Sequence, residues 1–206
     1  MVQPTTMTGL RRVVSERALV RRARDGDRRS FHELVRRNNS HIYSITLAAL
    51  QTPELAERVI LETFADALAA LPRLKDGEPF SPWLVKLNGR QIMCCVPPQN
   101  EREPLPPGPH FTKAGELAGA QAEWGEGEPQ ADSALRQVIT AAVASLPAAH
   151  RAELVLCDLG RLSCSEIAVA SGTTAKAVKR NIHEARVCMV VAIETHFRRA
   201  PRAAAR

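Results

Sequence analysis

The stretch Ser163–Arg186, SCSEIAVASGTTAKAVKRNIHEAR, decides how this chain folds. Ser163-Cys164-Ser165-Glu166 has the form of a capping box. The serine hydroxyl accepts from the backbone of Glu166, and the Glu166 carboxylate reaches back to the first amide. The short helix it opens stops near Ser171-Gly172, where glycine supplies the left-handed backbone that ends a helix. Thr174 then caps a long helix with Val178, Ile182, Ala185, Met189, Ala192 and Ile193 on its inner side. At about 100° per residue, Lys176, Lys179, Arg180, His183 and Arg186 share a broad arc facing away. Two helices across a tight glycine turn, the second basic from its first turn onward, describe a helix-turn-helix. An ordinary amphipathic helix with a solvated basic face has the same pattern, so geometry alone leaves both readings open.

Upstream, two more helices complete a C-terminal block. One carries Leu135, Val138, Ile139, Ala142, Val143 and Leu146; after Pro147, the other carries Ala152, Val155, Leu156 and Leu159. The N-terminal block is also helical. Ser15 caps a short basic helix through Arg24, and Asp27 caps the next, with Phe31, Leu34, Val35, Asn38, Ile42, Ile45 and Ala49 in its stripe. Thr52-Pro53 opens a third helix, whose stripe is Leu55, Val59, Ile60, Thr63, Phe64, Ala67, Leu68 and Leu71. The loop Lys75-Asp76-Gly77-Glu78-Pro79 follows, and Ser81-Pro82 opens a helix with Trp83, Leu84 and Leu87. Between the blocks, residues 97–134 hold seven prolines and five glycines without helical or strand period. They read as a linker with a stretched reach of about 120 Å. The expected fold is all-α: two small helical domains, 1–96 and 135–199, joined by a flexible linker, 97–134, with a basic tail, 200–206.

The chain has 206 residues, 45% of them apolar and 24% charged, enough for one large or two small folded domains. Its net charge of +6 is uneven. Residues 1–96 carry +5, residues 97–134 carry −5 and residues 135–206 carry +6, so two basic blocks flank an acidic middle. Basic blocks suit polyanions such as nucleic acid. The acids Glu101, Glu103, Glu116, Glu123, Glu126 and Glu128 are placed to screen them. No apolar run is long enough to span a bilayer and no secretory leader is visible, so the expected location is the cytoplasm, without membrane insertion. Five cysteines in no regular spacing fit a reducing compartment and no zinc site. Cys157 and Cys164 form a redox pair only if the fold brings them together. No phosphate-cradling glycine loop, metal-ligand cluster or nucleophile elbow is present, so no enzyme, cofactor or metal is expected.

From Leu146 to Arg186 the chain resembles the C-terminal helix-turn-helix domain of bacterial sigma factors of the extracytoplasmic-function type. The carrying residues are Leu146-Pro147, Asp158-Leu159, Leu162-Ser163, Glu166-Ile167-Ala168, Gly172, Ala177-Val178-Lys179, His183 and Ala185-Arg186. The N-terminal block is similar to the same family's promoter-melting domain. There the matches are Arg24-Asp25-Gly26-Asp27, Phe31, Leu34-Val35, Glu62-Thr63-Phe64, Ala70-Leu71-Pro72-Arg73 and Pro79-Phe80-Ser81-Pro82-Trp83-Leu84. Both sets stand in the family's order and together cover about two thirds of the chain.

The resemblance implies transcription initiation with core RNA polymerase and promoter DNA as partners. It also implies an anti-sigma factor that clamps the two domains. The C-terminal domain would read the minus-thirty-five element through Thr174, Lys176, Lys179, Arg180, Asn181, His183 and Arg186, with capping the simpler role for Thr174. Glu57, Glu62 and Asp66 would meet the polymerase clamp. Arg73, Lys75, Lys86 and Arg90 lie in and after the segment resembling the strand-opening region. The spacing of Trp83 with Phe80, Leu84 and Leu87 points to the core. The chain departs from the family at Leu55, Arg58 and Leu61 on the clamp-binding helix, at Gly89, and at Arg180, Asn181 and Glu184. Gly89 costs a helix about 1 kcal/mol against alanine. Glu184 would repel phosphate if it faced DNA. The alternative of another class is a stand-alone helix-turn-helix regulator, or a degenerate sigma decoy without polymerase docking.

Overall fold

A computed structural model describes residues 14–97 and 129–199, with the side chains of 14–97 and 136–195. The expected linker lies mostly outside the described residues, as does the tail 200–206. Among the described residues there are eight α-helices and no strand: α1 (Glu16–Arg24), α2 (Arg28–Leu50), α3 (Pro53–Ala70), α4 (Phe80–Cys95), α5 (Pro129–Ser145), α6 (Ala148–Asp158), α7 (Cys164–Ser171) and α8 (Ala175–Arg199). A short 3-10 turn, Leu71–Arg73, follows α3.

The caps are where local chemistry places them except at Thr52, expected to cap α3, whose hydroxyl instead donates to the Leu50 carbonyl. The Ser15 hydroxyl accepts from the Ala18 amide, and Asp27 accepts from the Arg29 amide and the Ser30 hydroxyl. Pro53 occupies the first turn of α3. Both halves of the Ser163–Glu166 capping box are formed. Gly172 closes α7 at φ 67°, and Thr174 caps α8 by accepting from the Ala177 amide.

In the N-terminal unit, α2, α3 and α4 pack round Leu34, Ile42, Ile45, Val59, Phe80, Leu84 and Ile92. A buried polar knot ties the three helices together. The Asn88 amide donates to the hydroxyls of Thr46 and Thr63, and those hydroxyls donate to carbonyls within their own helices. Trp83 packs tilted on Phe80 with ring centroids 5.6 Å apart, which is its core role. Helix α1 braces the loop before α4: Arg24 bonds Asp76 and the Leu71 carbonyl, and the Phe80 amide donates to Glu16. In the C-terminal unit, α8 lies against α5, α6 and α7 through Val178, Ile182, Ala185 and Cys188.

The two units do not stand apart. Helix α6 packs on α2, α7 packs on α4, and one continuous apolar core runs through both units. Nothing in the local sequence pattern signals that contact. Two leucines read as inward are also exposed, Leu68 at 54% and Leu159 at 47%. Each sits at the edge of its stripe, where no neighbouring helix arrives to cover it.

Candidate nucleic-acid interface

The buried side of α8 is set by Val178, Ile182 and Ala185. The helical twist then carries Lys176, Lys179, Arg180, His183 and Arg186 to the solvent, all exposed and all on one arc. The free amides of the α8 N-terminus, with their positive dipole end, add to the same anion-attracting surface. Arg186 is partly engaged, because its guanidinium donates to Asp158 at 2.6 Å at the end of α6. Lys176, Lys179 and His183 point outward without a carboxylate beside them among the ion pairs of the described residues.

Asn181 departs from the expected base-reading set. It is only 2% exposed. The projection explains why: it lies about 60° round the helix from Val178, inside the packed sector, whereas Arg180 lies about 160° away. Its side chain is spent inside, hydrogen-bonded to Glu153 on α6. Glu184 lies at the edge of the basic arc, beside Arg180. Its carboxylate meets His150 Nε2 of α6 at 3.3 Å and lies 3.9 Å from Arg180 of its own helix. The acid that would have repelled phosphate is thus drawn toward the α6 side.

Behind the reading face, α6 and α8 therefore enclose a polar cluster of His150, Glu153, Asn181 and Glu184. Glu153 is 2% exposed, and its Oε2 has no hydrogen-bond partner. Burial pushes its carboxyl up to about 7, while the hydrogen bond from Asn181 and the charge of Arg180 pull the other way. A glutamate at that position carries no sequence signature, since only the packing of α8 over α6 removes its water.

On the other unit, α3 shows a second surface. Leu61 is 72% exposed and shares its stripe with Leu68 and Glu57, while Glu62 and Asp66 flank it. Glu57 stands in solvent, Glu62 is 4.0 Å from Arg58, and Asp66 accepts from the Gln91 amide at 2.6 Å. Leu61 is one of the positions where the clamp-binding helix departs from the family, and Leu68 has an inward period but stands exposed.

The expected strand-opening cations separate. Arg73, Lys75 and Arg90 are exposed. Lys86 is half-buried, and its ammonium lies 3.1 Å from Glu166 of α7. Of the cysteines, Cys94 is exposed and Cys188 buried, with Cys95, Cys157 and Cys164 between. Burial first, then the charge of Asp158, pushes the Cys157 thiol up, which is the wrong direction for a reactive thiolate.

Residues 136–189, which hold the whole basic arc, match the family described as Sigma-70, region 4. A curated relative, the ECF RNA polymerase sigma factor SigE of Mycolicibacterium smegmatis, is 28% identical over 169 residues, 76% of this chain. Over residues 136–189 the chain is similar to region 4 of sigma-70 factors. It spans 59% of the length of that curated relative. Among solved structures, CnrH in complex with the cytosolic domain of CnrY superposes on 87% of this chain and 97% of its own at a TM-score of 0.52. At 20% identity that likeness is one of fold. Within the matched residues, α7 and α8 form the helix-turn-helix, with α8 as its outward-facing helix. Among the described residues no helix is long and apolar enough to cross a membrane.

Proposed function

We propose that this chain is a sigma factor: it binds core RNA polymerase, directs it to promoters and takes no part in the bond-making chemistry. The observation that carries this reading is the open basic arc on α8 of a helix-turn-helix. Lys176, Lys179, Arg180 and His183 reach a duplex together, with Arg186 at the edge of the arc and Thr174 spent on capping. Phosphate contacts from such cations give salt-dependent affinity and fix register on the duplex. Each well-made base contact adds about 1–3 kcal/mol of discrimination.

The α3 face supports polymerase docking. Leu61 and Leu68 offer apolar area, and Glu57, Glu62 and Asp66 set the charge of a cationic partner surface. Exposed leucines ringed by acids are a surface that gains by being covered. Arg73, Lys75 and Arg90 then lie on the promoter side for the opened strand, joined by Lys86 when its ion pair is released. The domain limits follow the same reading: 1–96 for polymerase and the minus-ten element, 135–199 for the minus-thirty-five element, with 97–134 between. CnrH was solved with the cytosolic domain of CnrY, and a small protein partner that holds this chain inactive in the cytoplasm fits the reading.

Run-off transcription with core polymerase and a promoter library tests it. The full chain is expected to direct specific transcripts, and Lys179→Glu to lose them. A chain that binds promoter DNA but never co-elutes with core polymerase would instead be the stand-alone regulator.

A further inference from the structure

The polar cluster behind α8 reaches the reading face at one residue, Arg180. Its guanidinium is held from two sides. Nη2 donates to Asn181 Oδ1 at 3.4 Å, and Nε lies 3.9 Å from Glu184 Oε1. Each acceptor is tied in turn to α6. The Asn181 side chain is hydrogen-bonded to Glu153, and the second Glu184 oxygen, Oε2, meets His150 Nε2 at 3.3 Å. Two chains of contacts therefore run from α6 to one arginine of α8. Their inner ends are fixed by packing: Glu153 is buried, and the His150 side chain is only 12% exposed.

The arrangement is not the one that stability alone would choose. Glu153 Oε2 and His150 Nδ1 are both buried without a hydrogen-bond partner. Unpaired polar atoms between packed helices are destabilising, and apolar side chains of the same size would hold α6 to α8 better. The two residues that carry these atoms are the two that anchor the acceptors of Arg180. With Nδ1 unpartnered, the His150 ring proton belongs on Nε2, where the Glu184 carboxylate receives it.

Holding an arginine changes what it can read. A loose arginine samples many rotamers and turns to a nearby phosphate as readily as to a base. Arg180 has Nη2 and Nε turned to Asn181 and Glu184, so the Nη1 side of the fork is the part left for a duplex. A planar fork in one orientation suits the two acceptors, O6 and N7, on the major-groove edge of guanine.

We propose that Glu153 and His150 are positioning residues for promoter reading: through Asn181 and Glu184 they hold Arg180 in one orientation, and that orientation sets a preference for guanine at one base pair of the promoter. The proposal rests on the sigma-factor reading and names what fixes its specificity at that site.

Selection from a duplex library randomised over the minus-thirty-five element, by the full chain bound to core polymerase, tests it. Arg180→Ala is expected to lose a guanine preference of about tenfold at one base pair. Glu153→Leu with Asn181→Leu replaces the inner hydrogen bond by two apolar side chains of similar size and keeps Arg180 itself. This double variant is expected to lose the same preference at the same base pair, with affinity averaged over the library within about twofold of the unsubstituted chain, because the phosphate-facing charge is unaltered. Added to Arg180→Ala, it is expected to change that base pair no further, since its effect passes through the arginine. Glu153→Gln keeps an oxygen for Asn181 and is expected to keep the preference. Glu184→Ala, at the surface, is expected to reduce the preference about threefold.

A double variant that folds and keeps the guanine preference overturns the proposal. So does an equal loss at every position of the element, which a merely loosened unit would give. If the double variant does not fold, Glu184→Ala decides: a preference that survives it unchanged overturns the proposal. A chain that selects sequence while Arg180→Ala alters no preference overturns the proposal alone. A chain that selects no sequence with core polymerase overturns the sigma-factor reading and the proposal with it.

Discussion

Helices α4 and α8 were both expected to offer cations to a promoter, and their fates differ. On α8 the packed stripe of Val178, Ile182 and Ala185 lies within its own unit, and everything opposite stays in water. On α4 the face carrying Lys86 and Gly89 is met by α7 and α6 from the other unit. An amphipathic pattern reports what a helix needs to bury at home. It does not report which outward face a distant part of the chain will cover.

The sharpest way to break the comparison is charge reversal on each helix. Lys179→Glu is expected to weaken promoter binding about 100-fold, the equivalent of about 3 kcal/mol, with the slope of affinity against salt reduced by about one. Lys86→Glu, measured in the same titration, is expected to cost less than about tenfold, because the Lys86 ammonium is already engaged by Glu166 and has less to give a duplex. Equal losses at the two positions would place both helices on the same footing.

A smaller effect is expected from the cluster behind α8. Glu153 holds its proton up to about 7 in the fold, above the carboxylate's ordinary 4.5. Its contribution is therefore fully present below about 4.5 and is lost as pH rises through 7. Glu153→Gln removes that loss, and denaturant titration is expected to show it more stable than the unsubstituted chain by about 1–3 kcal/mol above pH 7. The two are expected to converge near pH 4.5. A gap that does not change with pH would show that Glu153 is not the titrating group.

The smallest effect on the fold is expected on α3. Leu61→Ala with Leu68→Ala is expected to change stability by less than about 0.5 kcal/mol each, because both side chains already stand in solvent. Co-elution with core polymerase is expected to fall at the same time. A large loss of stability would return Leu68 to the core and leave the acids of α3 without an apolar partner.

Much of the fold was legible because it is local. The caps at Ser15, Asp27, Ser163 and Thr174, the stop at Gly172 and the inner stripes of α2 and α8 are short-range chemistry, and they stand as the residues imply. So is the basic arc, since 3.6 residues per turn places Lys179 and Arg180 once Val178 is inside. Asn181 was legible too, by the same rotation, but a polar residue on a basic helix was read for its chemistry rather than its angle. Leu68 misled in the opposite sense: its period is inward, and no helix arrives to cover it.

Residue order on its own settled the sequence of helices, their ends and the faces each must bury, because those follow from bonds within a turn and from one period. Only the three-dimensional packing decided that Lys86 is paired, that Gly89 is a seat for Leu156 and Leu162, and that burial raises the Glu153 carboxyl. These depend on groups far apart in the chain meeting in one place, where water is excluded and the cost of a charge or the fit of a side chain is set by the neighbour.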